Sequence, residues 1–177
     1  METEIRVSVE DDGDLPQNTL SPYRYFVSGK DFLTREKSPR FCNELELPPM
    51  WEIREIWSYG EIHDARRKRA ILRFFDPWDE HYIKAVEWID ENGKKCRVDH
   101  YDCFGCRYFS DYYRNDEIFE SRTYFTEDGR EVVTYQPSRD TVTLLENGET
   151  RMFPNQQAFL DFFYEKAEQD GIRLAGK

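Results

Sequence analysis

Residues 87–134 read EWIDENGKKCRV, DHYDCFGCRYFS, DYYRNDEIFESR, TYFTEDGREVVT when set in blocks of twelve. Ring or branched side chains fill the second and third columns: Trp88-Ile89, His100-Tyr101, Tyr112-Tyr113 and Tyr124-Phe125. The seventh column holds Gly93, Gly105, Glu117 and Gly129, preceded by Asn92, Phe104, Asp116 and Asp128. A unit of this length has room for one strand and one tight turn. Asn-Gly and Asp-Gly accept the positive φ values that two-residue hairpin turns require. The block therefore predicts an antiparallel meander, one strand per repeat, with turns alternating between two ends.

Working outward, the pattern stays β-like on both sides. Ile5, Val7 and Val9 alternate with Arg6 and Ser8 as in a half-buried strand, broken at Asp11-Asp12-Gly13-Asp14. Ser21-Pro22 opens a short aromatic strand over 23–27, turned at Ser28-Gly29-Lys30-Asp31. Phe41 to Leu47 reads as a weak strand closed by Pro48-Pro49. Met50 to Ser58 is a stronger one, with a bulge expected where Ile56-Trp57 breaks the alternation. Gly60-Glu61-Ile62 follows another turn. Strands over 69–76 and 82–90 flank a turn at Pro77-Trp78-Asp79-Glu80. Beyond the repeats, strands are expected near 131–136, 141–146 and 150–153, joined at 138–140 and Asn147-Gly148.

One segment reads as a helix. Asn155 is its N-cap, Phe159, Phe162, Phe163 and Ala167 form an apolar stripe, and Gly171 suits the C-terminal cap. Ile172-Arg173-Leu174 then begins a further strand. The fold class is mainly β: an extended antiparallel meander sheet of hairpin repeats with one C-terminal α-helix. Residues 1–177 are expected to form a single extended β-sheet domain. The opening METEIRVSVE runs almost directly into a β pattern, as in a domain excised from a longer protein.

The chain has 177 residues, 38% of them hydrophobic and 16% aromatic, with eleven Tyr and thirteen Phe. That mixture suits a sheet with much exposed surface, packed by its aromatics. A net charge of −11 argues against nucleic acid and anionic membranes as partners. The basic run Arg66-Arg67-Lys68-Arg69 is short and leads straight into a strand. Met1 is followed by Glu2 and Glu4 rather than a signal peptide, and no apolar run approaches the ~20 residues of a membrane helix. Four cysteines make no dense disulfide framework, so the chain reads as cytoplasmic.

The sharpest chemical candidate is Cys96-x3-His100-x2-Cys103-x2-Cys106, with the Cys-x2-Cys spacing of structural zinc sites. Parity opposes it. Cys96 and His100 share one face, Cys103 has the opposite parity, and Cys106 pairs with Cys103 across the turn. Thiols flanking a hairpin, or a reversible disulfide, are the other readings. Asp11-Asp12-x-Asp14 lacks the later ligands of a calcium loop and reads as a solvated turn. His63, His81 and His100 are scattered, with no nucleophile motif or glycine-rich phosphate loop near them. The residues thus describe a non-catalytic β domain without cofactor or metal. Trp88, Tyr101, Tyr112, Tyr113, Tyr124 and Phe125 remain as candidate protein-binding residues. They either pair within the sheet or present a docking face, since they offer more aromatic surface than one helix covers.

A series of short motifs adds a resemblance. VSVEDDGDLP (7–16), SPYRYF (21–26), PPMWEI (48–53), YGEI (59–62), KRAILRFF (68–75), VDHYDCFGCRY (98–108) and YFTEDGREVV (124–133) occur in order. The series resembles the N-terminal part of the non-catalytic, glycosyltransferase-stabilising (chaperone) subunit of the accessory Sec system of Gram-positive bacteria. The resemblance implies a longer, two-lobed glycosyltransferase-like parent carrying this sheet as an insertion. It implies a catalytic glycosyltransferase partner with a related sheet. Together the two add N-acetylglucosamine to Ser and Thr of a serine-rich-repeat adhesin polypeptide. No catalytic residue is implied within this stretch. Active glycosyltransferases, for the adhesin or for wall teichoic acid, carry the same kind of sheet and form the alternative. Self-association through exposed strand edges is a further expectation.

Overall fold

The computed structural model describes residues 4–29, 31–76, 78, 80–116 and 118–175. The turn residues Lys30, Pro77 and Asp79, the column residue Glu117, and Met1 and Glu2 lie outside them. In chain order the elements are β1 (Arg6–Val7), β2 (Thr19–Leu20), α1 (Pro22–Ser28), β3 (Glu52–Ile56), β4 (Tyr59–His63), β5 (Lys68–Phe74), β6 (Ile83–Ile89), β7 (Lys95–Tyr101), β8 (Arg107–Arg114), β9 (Ile118–Phe125), β10 (Glu131–Gln136), β11 (Thr141–Glu146), β12 (Glu149–Phe153) and α2 (Gln156–Gln169). β3 to β12 form a ten-stranded sheet whose spatial order is the order of the sequence, an antiparallel meander. By contact, the chain divides into two units, Glu36–Arg122 and Met1–Arg35 with Thr123–Lys177.

Three of the four repeat turns, those at Gly93, Gly105 and Gly129, are not the expected two-residue loops. In each of these three, a type I turn is closed by a left-handed glycine. The Gly93 N–H reaches the Asp90 carbonyl, and the Asp90 N–H reaches Lys94. The same two bonds recur at Asp102–Cys106 and Thr126–Arg130. Gly93, Gly105 and Gly129 have φ of +78°, +78° and +81°, whereas the residues before them do not have positive φ. Three-residue hairpin loops of this kind need one positive φ, so Phe104 fits as well as Asn92 or Asp128. The remaining repeat turn differs: Asn115 and Asp116 are both left-handed, at +53° and +72°.

Bulges repeat with the same period. Trp88 faces Arg97 while Ile89 faces Lys95, leaving Cys96 as the extra residue. His100 faces Phe109 while Tyr101 faces Arg107, leaving Tyr108. Arg73 faces Ala85 while Phe74 faces Ile83, leaving Lys84. The bulge expected at Ile56-Trp57 is absent. Ile56 pairs with Tyr59, and Trp57 leads a hairpin turn with φ +45°.

In the unit Glu36–Arg122, one sheet face buries Ile62, Ala70, Leu72, Phe74, Ile83 and Val86. Phe41, Cys42, Leu45 and Leu47 pack over them. This covering segment is not the weak strand expected over 41–47. Cys42–Glu44 is a 3-10 turn whose Glu44 carboxylate accepts from the Phe41 N–H at 2.8 Å. The segment is fastened by backbone bonds from Cys42 to His81 (3.0 Å) and from Ile83 to Arg40 (2.8 Å).

In the other unit the expected strand over 23–27 is α1. The Ser21 hydroxyl accepts from the Tyr23 and Arg24 N–H groups, and Pro22 occupies the first turn, where no N–H is needed. Gly29, at φ +63°, ends it. β1 is shorter than the expected alternation and pairs with β2 in parallel. α2 follows the expected cap: Asn155 accepts from Ala158 at 2.8 Å, and Phe159, Phe163 and Ala167 are buried. Leu174 bridges Ile5 in parallel, where the further strand was expected. Asp11 is not solvated; its buried carboxylate pairs with Arg24 at 3.7 Å and caps Gly13 at 2.8 Å.

Candidate interaction surface

The six candidate aromatics fall into two groups. Trp88 and Tyr112 are half-buried and lie in one cross-strand row with Arg97 between them, because Trp88 pairs with Arg97 and Arg97 with Tyr112. The Arg97 guanidinium sits 5.2 Å from the Trp88 ring centre. Tyr113, the next residue along β8, points to the opposite face, where Lys95 Nζ lies 4.2 Å from its ring. Tyr101, Tyr124 and Phe125 are buried, at 7%, 2% and 4% exposure. Tyr124 stacks on Tyr23 of α1 at 4.4 Å, and Tyr23 on Phe159 of α2 at 5.2 Å. A second helix, unseen in the sequence, thus joins the first in covering the aromatics of its unit. Tyr101 is sealed in the other core, under Arg40 at 5.6 Å.

The repeat carries a second pattern that the aromatic columns obscured. Its first column is Glu87, Asp99, Asp111 and Thr123; its last is Val98, Ser110, Arg122 and Thr134. In the last three blocks, first-column and last-column side chains bond across neighbouring strands at a separation of eleven. Ser110 donates to Asp99 at 2.6 Å, and Thr123 meets Thr134 at 3.2 Å. Arg122 donates to both Asp111 oxygens, at 2.6 and 2.8 Å. The second column reaches the same carboxylates from the other side: Trp88 Nε1 to Asp99 at 2.6 Å, and His100 to Asp111 at 3.2 Å. Asp99 and Asp111 are each 4% exposed and lie on opposite faces, since Asp99 pairs with Ser110 and Val98 with Asp111. Burial alone would raise the Asp111 pKa, but the bonds from His100 and Arg122 outweigh it and hold the carboxyl below its usual range. Phe109 is stacked between His100 (4.2 Å) and the Arg122 guanidinium (4.2 Å). Polar residues at both ends of the last three blocks were the available signal.

The proposed zinc-type residues are engaged separately. Cys96 donates to the Trp88 carbonyl at 3.5 Å, Cys106 to the Phe104 carbonyl at 3.8 Å, and His100 to Asp111. The bulge at Cys96 also breaks the alternation on which its shared face with His100 was argued. The basic run folds around one acid. Asp64 accepts from the Arg66 and Arg67 N–H groups, then from Arg69, and these hold its pKa at about 2. Met50, Trp57, Trp78 and Met152 are strongly exposed. Among the described residues, no helix is long and apolar enough to cross a membrane.

A family model described as the GtfB middle domain matches residues 51–154. The chain is 31% identical over 158 residues to the UDP-N-acetylglucosamine–peptide N-acetylglucosaminyltransferase stabilizing protein GtfB of Streptococcus agalactiae, covering 89% of this chain and 35% of that protein. It therefore spans about a third of the length of that relative. It superposes with a TM-score of 0.82 and 25% identity on a chain from the crystal structure of a GtfA/B complex bound to UDP and GlcNAc, covering 92% of this chain and 36% of that one. A chain of the pneumococcal O-GlcNAc transferase GtfA, with UDP and GlcNAc, shares the fold at a TM-score of 0.54 and 16% identity, over 85% of this chain and 29% of that one.

Proposed function

Because the chain belongs to the GtfB middle-domain family, we propose that it is the non-catalytic sheet domain through which a stabilising subunit holds its catalytic N-acetylglucosaminyltransferase. The observation that carries this reading is the family match over residues 51–154, alongside relatives named as stabilizing proteins rather than transferases. The 177 residues act as one domain of a longer, two-lobed parent. The assembled pair modifies a serine-rich-repeat adhesin in the cytoplasm before export through the accessory Sec system. Docking is carried by the half-buried ladder residues Trp88 and Tyr112 on one face and Tyr113 on the other, while Tyr101, Tyr124 and Phe125 are buried, each within its own unit.

Co-expression of the full-length parent with its transferase tests the reading. A stable complex on gel filtration is expected, with glycosylation of the adhesin repeat only when both are present. Failure to co-elute overturns it. The shared fold of the GtfA chain favours one other reading, a sheet domain of an active transferase. Transfer from UDP-N-acetylglucosamine by the parent alone would establish that alternative.

A further inference from the structure

Cys42, Glu55 and His81 come from three separate segments, and none shares a motif with another in sequence. Cys42 sits in the 3-10 turn that covers the sheet, Glu55 on the edge strand β3, and His81 just before β6. Their ligating atoms nevertheless converge. The Cys42 Sγ–Glu55 Oε1 distance is 3.2 Å and the His81 Nδ1–Glu55 Oε2 distance is 2.8 Å. One thiol sulfur, one imidazole nitrogen and one carboxylate oxygen all lie within 4.8 Å of one another. A four-coordinate ion bound at ~2.0–2.3 Å spaces its ligand atoms by roughly 3.3–3.8 Å. The two contacts to Glu55 lie up to about half an ångström inside that spacing and the 4.8 Å limit lies about 1 Å outside it, so side-chain shifts of about 1 Å bring the three atoms to it.

We propose that Cys42, Glu55 and His81 form a binding site for one divalent cation of the zinc class, with a fourth position left to water or to a group from a partner. The donor set fits that class. Thiolate with imidazole selects zinc or cobalt over calcium and magnesium, which require oxygen. The site is held in place from behind. Phe74 stacks on the His81 ring at 4.6 Å and an interplanar angle of 12°. A Cβ on Gly60, opposite Glu55, would come within 3.0 Å of Leu72 and 3.4 Å of Phe74. The Cys42 N–H to His81 carbonyl bond fixes two of the ligand-bearing segments to each other. Access is from the carboxylate side: the Cys42 residue is 1% exposed, whereas the Glu55 side chain is 47% and the His81 side chain 23% exposed. Without a cation, the Cys42 thiol donates to Glu55, and burial first and this bond second push its pKa up to about 12. Binding exchanges that thiol proton for the cation and releases it to water, while the His81 N–H moves to Nε2.

The test uses the full chain, stripped with chelator and titrated with cobalt(II). The expected result is one equivalent bound, with a thiolate-to-cobalt charge-transfer band in the near ultraviolet. Cys42→Ser should abolish the band, and His81→Gln should weaken binding at least tenfold. The Cys103→Ser/Cys106→Ser double variant should keep both. Zinc should raise the melting temperature of the native chain and not that of His81→Gln. His81 is partly exposed, so His81→Gln also serves as the folded control, checked by circular dichroism, should Cys42→Ser misfold. Absence of the band in the native chain overturns the proposal. So does cobalt binding that His81→Gln leaves unchanged, or that disappears only with Cys103 and Cys106.

Discussion

Arg122 Nε and Nη2 donate to the two oxygens of Asp111, at 2.6 and 2.8 Å, and the carboxylate they hold is buried between strands. Eleven residues separate the partners, and eleven also separate Ser110 from Asp99. A twelve-residue repeat in an antiparallel meander places its first and last residues side by side on neighbouring strands. In three blocks the facing residues are complementary: acid with guanidinium, acid with hydroxyl and hydroxyl with hydroxyl. In the first block Glu87 faces Val98, and its carboxylate pairs with Arg73 instead.

Removing Arg122 leaves Asp111 with His100 alone in a buried site. Arg122→Ala is expected to cost about 3 kcal/mol at neutral pH, the low end for a broken buried pair because Arg122 is partly exposed. The folded pKa of Asp111 is depressed. Its contribution is present above the ordinary aspartate pKa of about 4 and is lost as pH falls through the depressed value. Urea midpoints of native and variant chains should converge as pH drops below about 4. A gap of equal size at pH 7 and pH 2.5 would show that the ion pair is not its source.

Gly93, Gly105 and Gly129 share a turn position and a φ near +80°. Their surroundings differ. A Cβ at Gly93 or Gly129 meets nothing within 4 Å, while one at Gly105 comes within 2.8 Å of the Ser38 carbonyl oxygen. Gly93→Ala and Gly129→Ala are expected to cost about 1–2 kcal/mol each from left-handed strain. Gly105→Ala should cost at least about 3 kcal/mol, because the 38–40 segment must also move. Equal losses in thermal unfolding would mean that this contact does not hold the segment down.

The aromatics separate into those that fold the chain and those that dock. Tyr124→Ala removes a ring stacked between strands and α1 and should destabilise by about 3–5 kcal/mol. Tyr112→Ala should cost about 1 kcal/mol or less while weakening assembly with the transferase. Paired melting and gel-filtration measurements check this. A Tyr112 variant that assembles as well as the native protein removes Tyr112 from the interface.

Thiol chemistry gives an independent reading of the fold. Cys42 is buried with its pKa raised to about 12, so it is uncharged at pH 8. Its alkylation should be slower than that of a free thiol by on the order of a thousandfold, from thiolate fraction alone. Timed iodoacetamide labelling read by peptide mass should find Cys96 modified early and Cys42 last. Early modification of Cys42 would place it outside the core.

Much of this was legible in the residues. The period set the strands from 83 to 134, and Asn155 with the phenylalanine stripe set α2. The misses share a physical cause. Tyr23 to Val27 carries the aromatic and branched residues of a strand, but a capping serine before a proline decides the backbone locally, and tertiary packing on Tyr124 completes the choice. The same unseen helix hid the burial of Tyr124. Cys42, Glu55 and His81 could not be linked, because only the folded sheet brings positions 42, 55 and 81 to one place.

The grip on Asp99 and Asp111 also acts as a check on strand alignment. Sliding one strand by a single residue would turn a buried carboxylate to the opposite face, away from both of its partners, and leave a guanidinium or hydroxyl with nothing to meet. Insertion or loss of a whole repeat keeps every first-column residue opposite the last residue of its own block. Such a sheet tolerates gain or loss of material in steps of twelve and rejects smaller ones, so its length can change over evolution without loss of its pairing.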